Sequence, residues 1–377
     1  MRLRDPLALL AGLASAVALF GSSAITQVFH GSLRPDLGLF GLALLLVMAW
    51  SRGLSRDALR LADWLISACA IVLVATFLLR ALHAGLGGRA TLSFWAAGIA
   101  VWLTAWRLVN GLVAVTWHGR VGRVLVAIGA PLLFGATLVF LWEIGVRGAG
   151  VPMVILPAPS QVVARLFAST DEMVADFLQT FRGVAAGYAI GCSSGFLVAL
   201  LIDRVPFLQR GLLPIGNLVS ALPIVGIAPI MVMWFGFDWP SKAAVVVIMT
   251  FFPMLVNTNV GLAQSGAMER DLMKTYAAGY LATLAKLRLP AALPFLFNGL
   301  KLCSTLALIG AIVAEFFGTP IVGMGFRISA EVGRMNIDKV WATIVVAAVF
   351  GSAFYALIEL VERRITFWHA SYRRRAA

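Results

Sequence analysis

The chain has 377 residues, of which 61% are hydrophobic and only 12% are charged. Soluble domains carry about 25% charged residues, so this composition excludes an ordinary soluble protein and indicates a polytopic membrane protein. The net charge of +13 raises the question of nucleic-acid binding, since clustered lysines and arginines attract phosphates. Here the basic residues are scattered in short loops between apolar runs, which is typical of the charge bias of membrane proteins. We therefore predict a lipid bilayer around the chain and no nucleic-acid partner.

The sequence lacks the motifs of the common catalytic and metal sites. Its three cysteines and four histidines are dispersed, without a C-x-x-C pair and without the spacing of metal ligands. It has no G-x-x-x-x-G-K-[ST] loop to hold phosphates, and no H-E-x-x-H or G-x-S-x-G motif. We therefore predict no metal site, no cofactor bound by this chain and no catalytic residues, so the chain is not expected to be an enzyme.

Ten apolar runs reach or approach the roughly 17 to 25 residues that a helix needs to cross a bilayer. The second run is short, and the seventh contains prolines, which spans tolerate when neighbouring helices satisfy the freed backbone groups. Ten spans place both termini on one side, and more lysines and arginines lie on that side, so we predict that both termini are cytoplasmic. The predicted spans are 6–27, 37–51, 61–82, 92–116, 124–146, 180–202, 211–235, 241–263, 293–317 and 340–362.

One segment between the eighth and ninth runs is too polar for a bilayer, from Asp271 to Pro294. Its apolar residues recur at steps of three to five, which indicates a short amphipathic helix and a turn. Leu289-Pro290 is predicted to end that helix, because proline lacks the amide hydrogen and disfavours the α region in its predecessor. A charged helix between two spans either lies on the lipid headgroups or meets a soluble partner. The apolar residues of the segment are Leu272, Tyr276, Leu281, Leu284 and Leu287.

The spacing of this segment resembles the cytoplasmic loop pattern E-A-A-x3-G-x9-I-x-L-P of the permease subunits of binding-protein-dependent ABC importers. Asp271 takes the place of the glutamate, Ala277 that of the glycine and Leu287 that of the isoleucine, and Leu289-Pro290 closes the pattern. The two alanines of the pattern are replaced by larger residues. Four further stretches are similar to the branch that includes nitrate, sulfonate, taurine and bicarbonate permeases: LPAPSQVVARL, ALPIVGIAPIMVMWFG, FFPMLVNTNVG and AEFFG.

The resemblance implies an all-α inner-membrane protein of about ten transmembrane helices. The resemblance covers roughly residues 125 to 370 and leaves the first 120 unexplained. The ten apolar runs therefore divide into a four-helix extension over 1–120 and a six-helix permease domain over 121–377, with its coupling loop at 264–292. Such a permease works with a dimer of ATPase subunits that bind ATP and Mg²⁺, with a second permease subunit, alike or different, and with a periplasmic binding protein. The solute implied is small and either anionic or heterocyclic. The residues that the resemblance assigns to ATPase coupling are Asp271, Tyr276, Ala277, Ala278, Gly279, Leu287, Leu289 and Pro290.

An ion-coupled secondary transporter is the alternative function, but it should show carboxylates near the middle of its spans, which are nearly missing here. Two residues are candidates for the transport pathway. Asn257 either lines the path or bonds across helices, and Glu315 is either a cavity or gate residue or an interfacial acid capped by the following loop. Lys301 is expected to extend to the cytoplasmic interface. Ser160 is predicted to cap an amphipathic helix that follows the fifth span.

Overall fold

The computed structural model describes residues 6–20, 60–114, 119–205, 207–208, 210–211, 223–318 and 321–368. These residues form helices joined by turns, and no strand occurs among them, which confirms the prediction of an all-α polytopic protein. The helices are α1 (Pro6–Phe20), α2 (Arg60–Ala81), α3 (Leu92–Ala114), α4 (Arg120–Gly148), α5 (Pro159–Ala168), α6 (Thr170–Arg204), α7 (Ile224–Phe235), α8 (Trp239–Ala263), α9 (Ala267–Thr275), α10 (Tyr280–Thr283), α11 (Leu289–Phe316), α12 (Met324–Gly333) and α13 (Ile337–Ile365).

Among the described residues, seven helical stretches are long and apolar enough to cross a bilayer, and each overlaps a predicted span. The predicted span 37–51 lies outside the described residues. Of the predicted span 211–235, the structure describes mainly α7, a helix of 12 residues that at 1.5 Å per residue covers only about 18 Å. The seven stretches are Trp64–Leu86, Leu92–Ala114, Val126–Gly148, Thr170–Arg204, Trp239–Ala263, Tyr280–Phe316 and Ile337–Ile365.

The chain divides into two compact units, residues 1–163 and 164–377. In the first unit, α3 packs against α1, α2 and α4. Its core includes Leu78, Phe94 and Ala97, all fully buried. The predicted boundary between an extension and a permease domain after residue 120 stays a prediction.

In the second unit, α6 packs along α8 through a row of glycines spaced four residues apart. This spacing places the glycines on one face of the helix, where the absent side chains let two backbones approach closely. A Cβ atom at Gly191 would lie only 2.0 Å from Thr250 Oγ1, and one at Gly187 only 2.5 Å from Val246 Cβ. The full row is Gly183, Gly187, Gly191 and Gly195.

The four long helices of this unit share two ends, which we name by a residue at each. At the Glu315 end, α6, α8 and α13 begin and α11 finishes. At the Arg288 end, α6, α8 and α13 finish and α11 begins. The polar segment 264–292 therefore belongs to the Arg288 end, and the segment 317–336, which contains α12, belongs to the Glu315 end.

The prediction that a helix ends at Leu289-Pro290 was wrong. The amphipathic helix ends earlier, at Thr275, and the chain is helical again from Tyr280 to Phe316. A single π-helical turn, Leu284–Arg288, precedes Pro290, and the Leu289 N–H bonds to the Leu284 carbonyl. This turn widens the helix where a proline ring would otherwise clash with the carbonyl four residues earlier, so the helix continues through the proline.

Candidate functional site

The polar segment 264–292 begins with α9, a charged helix that stands away from the rest of the unit. None of the nine residues described for α9 is buried. Glu269 lies in its first turn and Lys274 in its last, an arrangement that complements the helix dipole. The predicted coupling residue Asp271 forms an exposed ion pair with Lys274, with 2.9 Å between Oδ1 and Nζ. These features stabilise the helix without any packing from neighbouring spans.

One face of α9 and its following turn is apolar and faces solvent. Met268, Leu272 and Tyr276 are spaced four residues apart and therefore lie on the same side of the helix. Their exposed fractions are 84%, 56% and 77%. Leu281 on α10, at 72%, is exposed as well. We call Met268, Leu272 and Tyr276 the apolar row of α9. Large apolar side chains at adjacent positions of a charged helix mark a surface suited to a protein partner.

The helix α9 ends in a Schellman motif centred on Ala277. The Ala278 N–H donates to the Met273 carbonyl at 3.0 Å, and the Ala277 N–H donates to the Lys274 carbonyl at 2.8 Å. Ala277 itself has φ of 51°, the left-handed conformation that this motif requires and that glycine adopts most easily. The glycine of the family pattern therefore fits a backbone requirement at this position, whereas the sequence suggested only a need for a small side chain. The next predicted residue, Gly279, precedes α10 in extended conformation.

The remaining predicted coupling residues, Leu287, Leu289 and Pro290, are half-buried where α11 begins. Leu289 packs against a buried cluster that contains Leu284 and Ala292. These residues therefore contribute packing at the root of the segment, while the residues of α9 contribute an exposed surface. The structure does not bring the two groups together.

The strongest polar contact of the segment involves Arg288, which the sequence analysis did not single out. Its Nη1 and Nη2 atoms donate to Asp203 Oδ2 and Oδ1, each at 2.6 Å. Its Nε donates to the Leu262 carbonyl at 3.2 Å. The Tyr280 hydroxyl also donates to Asp203, at 3.0 Å, and the Arg204 guanidinium lies 5.1 Å from the centre of the Tyr280 ring. We call Asp203, Tyr280 and Arg288 the Arg288 cluster. The sequence signal that could have indicated it is an acid, Asp203, at the end of an apolar run.

At the opposite end of the unit, Glu315 is 2% exposed and fully engaged. Its carboxylate accepts from the Gly325 N–H at 2.7 Å and from the Thr180 hydroxyl at 2.8 Å. Gly323 lies so close that a Cβ atom there would sit 2.8 Å from Glu315 Cδ. These contacts correspond to the interpretation of Glu315 as an acid capped by the following loop. Its role in the pathway stays a prediction.

Asp176 extends this buried set of charges. It is 0% exposed and accepts from the Gly323 N–H at 2.9 Å and from Arg327 Nε at 2.6 Å. The hydrogen bond from Arg327 to Asp176 raises the pKa of the arginine. Lys242, also buried, donates to the carbonyls of Phe237, at 2.5 Å, and Gly318. The segment after α11 is thus held to α6 and α8 by several independent contacts.

The pathway candidate Asn257 bonds across two helices. Its side-chain nitrogen donates to the Pro253 carbonyl at 2.8 Å, and its oxygen accepts from Asn298 at 3.1 Å. Asn298, on α11, is exposed. Lys301 lies 2.7 Å from Glu362, a buried carboxylate on α13. Glu362 lies close to the end of α13 at the Arg288 end, and the expectation that Lys301 extends to the cytoplasmic interface stays a prediction.

The prediction for Ser160 was wrong. Ser160 is the second residue of α5, and its hydroxyl and N–H both donate to Glu143, at 2.7 and 2.9 Å. Gln161 reaches back from within the helix, since its Oε1 accepts from the Ala158 N–H at 2.8 Å, as the glutamine of a capping box does. Ser160 therefore bonds to Glu143, a buried acid on α4, and does not cap the helix.

Comparison with known proteins gives a consistent result. Residues 187–367 match the family described as binding-protein-dependent transport system inner membrane component. The chain is 31% identical over 239 residues to the formylaminopyrimidine transport permease of Halalkalibacterium halodurans, covering 63% of this chain and 95% of that protein. It is 29% identical to the riboflavin transport permease of Chloroflexus aurantiacus, with coverages of 65% and 91%. It is 27% identical to the putative aliphatic sulfonates transport permease of Bacillus subtilis, with coverages of 64% and 88%.

Proposed function

Because the chain belongs to the inner-membrane components of binding-protein-dependent transport systems, we propose that α9 is the surface through which a separate ATPase subunit drives this ABC importer permease. The apolar row of α9 carries the proposal. It is exposed, it lies on a helix between two spans, and the family places its ATPase contact in this segment. ATP and Mg²⁺ would bind to a dimer of the ATPase subunit, since this sequence has no phosphate-binding loop of its own.

The ATPase is a cytoplasmic partner in this proposal, so the Arg288 end of the bundle faces the cytoplasm. Both termini then lie on the cytoplasmic side of the inner membrane, in agreement with the excess of lysine and arginine on that side. The Glu315 end faces outward, where a periplasmic binding protein would deliver the solute. The family membership favours this ATP-driven import over an ion-coupled secondary transporter.

A second permease subunit would complete the transport pathway. Asn257 and Asn298 support this, because their amide pair lies on the surface of α8 and α11 within the spans. A polar pair facing lipid tails is costly, whereas a pair facing water or another subunit is not. We place this pair on the pathway between two permeases, whether alike or different.

The solute is proposed to be small and either anionic or heterocyclic. The relatives are named for a formylaminopyrimidine, for riboflavin and for aliphatic sulfonates, which span both chemical classes. No side chain described in the spans selects between these classes, and the periplasmic binding protein would supply most of the selectivity.

The proposal is tested by changing the apolar row of α9 to serine: Met268→Ser, Leu272→Ser and Tyr276→Ser in one full-length variant. The permease is purified with the ATPase subunit of the same transport system, and the amount of ATPase that co-purifies is measured. We expect the variant to lose the ATPase while its own yield and thermal unfolding midpoint stay unchanged, because these side chains are largely exposed in the described part of the chain.

A matched control changes three exposed apolar residues of the opposite end, Ile321→Ser, Val332→Ser and Met335→Ser. This variant should retain the ATPase. Equal retention of the ATPase by both variants would contradict the proposal.

A further inference from the structure

We infer that Arg288 and Asp203 are positioning residues that make the Arg288 ends of α6, α8 and α11 move as one body with the coupling segment 264–292. The inference rests on the proposed function, since it assumes that force arrives through α9. Asp203 lies outside the loop pattern, and Arg288 occupies one of its unspecified positions. Through these two residues a displacement of α9 can reach α6 and α8 as well as α11.

The geometry places a single side chain at the junction of three spans. Arg288 is the last residue before α11, and it holds Asp203, next to the end of α6, through two hydrogen bonds of 2.6 Å. The same guanidinium donates to Leu262, next to the end of α8, at 3.2 Å. The two arginine bonds to the carboxylate are parallel, which fixes orientation as well as distance.

The surroundings of this pair give it more strength than a surface ion pair has. The exposed fractions of the Arg288 and Asp203 side chains are 16% and 12%. Exposed pairs contribute little because water and salt screen them. The bidentate pair of Arg288 and Asp203 is mostly buried, so water and salt screen it less. Removing one partner leaves the charge of the other without compensation. Tyr280 adds a third contact to the same carboxylate, so the coupling segment reaches Asp203 from two positions.

The local backbone points to the same role. Arg288 closes the π turn Leu284–Arg288, and an extra residue in a helix rotates the residues on either side relative to one another. Upstream, α9 is joined to this turn by the non-helical residues 276–279 and by the short helix α10. The chain thus runs from an exposed helix, through a short connection, to a turn whose last residue is fastened to two other spans. A displacement of α9 is then shared among three helices instead of bending one.

The test uses the full permease in complex with its ATPase, with spin labels at the exposed positions Leu201 on α6 and Ala285 in the π turn. The exposed cysteine is removed by Cys69→Ser. The distance between the labels is measured without nucleotide and with Mg²⁺ and a non-hydrolysable ATP analogue. For the wild-type pair we expect the same distance in both states. For Asp203→Asn we expect a shift on adding the nucleotide, while the ATPase stays bound and ATP hydrolysis continues.

Three further variants separate positioning from general stability. The exchange Asp203→Arg with Arg288→Asp should restore the nucleotide-independent distance, and Arg288→Lys, which keeps the charge but not the two parallel bonds, should give an intermediate shift. Glu359→Gln, which removes the acid of the exposed pair Glu359–Arg363, should leave the distance unchanged. A purely structural role predicts a lower unfolding midpoint for Asp203→Asn with no nucleotide-dependent shift.

The outcomes distinguish the two proposals. If wild type and Asp203→Asn show the same nucleotide response with the ATPase bound, the positioning role is wrong and the proposed function stands. If the wild-type permease binds no ATPase, the proposed function fails and this inference fails with it.

Discussion

The helix α6 is fastened at both of its ends, but the two attachments differ in kind. At the Glu315 end, Asp176 and Thr180 belong to a buried set in which Glu315, Arg327 and backbone N–H groups all find partners. At the Arg288 end, Asp203 accepts hydrogen bonds from one arginine and one tyrosine, beside a helix in which no residue is buried. The first attachment fixes the segment after α11 through many contacts, and the second holds the exposed coupling segment 264–292 through few. In a transporter core built in this way, the Arg288 end can be displaced while the Glu315 end keeps its structure.

The largest effect is expected from breaking the Glu315 end. Asp176→Ala removes the buried partner of Arg327 and of the Gly323 N–H. The loss of one member of a buried ion pair costs about 3–5 kcal/mol, so we expect a strong fall in the thermal unfolding midpoint in detergent and in yield. Glu172→Gln, at a side chain that is 51% exposed, is the matched control and should have a small effect. Similar losses for the two variants would show that the buried set is not what holds this end.

A smaller effect is expected at the Arg288 end. Asp203→Asn keeps the shape of the side chain and one acceptor oxygen but removes its charge, for an expected cost of about 1–3 kcal/mol. The change should also be local, with faster hydrogen exchange in residues 200–204 and 280–289 and little change around Asp176. A cost as large as that of Asp176→Ala, or an increase in exchange over the whole unit, would abolish the difference between the two ends.

The fold of the unit could be predicted from the sequence, and its attachments could not. Apolar runs of spanning length suffice to place the helices, because a bilayer tolerates few alternatives to a helix. The glycine row of α6 was visible as a G-x3-G-x3-G-x3-G spacing, but the helix that it meets was not. Asp203 and Arg288 are 85 positions apart, and neither belongs to a motif. Such a pair requires the packing of the helices, which local patterns do not specify.

The loop pattern shows the same limit at a single residue. The spacing aligned Ala277 with the glycine of the pattern, but the positive φ of Ala277, which glycine adopts most easily, is not displayed by the sequence. The interpretation of Leu289-Pro290 as a helix end failed because a π turn precedes the proline, and no local pattern in the sequence marks that turn. Glu315 was identified, but its partners Thr180 and Gly325 could not be predicted from the sequence.

A substitution of opposite sign sharpens the comparison at the Arg288 end. Ala277→Gly should stabilise the end of α9 by about 1 kcal/mol, because glycine adopts the left-handed conformation without the cost borne by alanine. We expect slower hydrogen exchange in residues 267–279 and more ATPase retained at high salt, with the Glu315 end unaffected. Ala278→Gly is the control, since Ala278 does not have a positive φ, and it should not stabilise the helix. If both variants stabilised the end of α9, the cause would be flexibility of the turn and not relief of backbone strain at residue 277.

The smallest expected effect is a pH dependence confined to the Glu315 end. Burial raises the pKa of the Glu331 carboxyl, but its hydrogen bond from Asn336 and the charge of Lys339 outweigh burial, so the pKa lies below the usual 4.5. A carboxyl with a lowered pKa contributes stability that is complete above its unfolded pKa and is lost as the pH falls through the folded value. The unfolding midpoint of the wild type should therefore fall more steeply than that of Glu331→Gln as the pH falls below the usual 4.5. Because burial opposes the two favourable contacts, the difference should be smaller than for either aspartate above. A steeper fall for the glutamine variant would reverse the sign and show that the carboxyl at Glu331 is held in its neutral form.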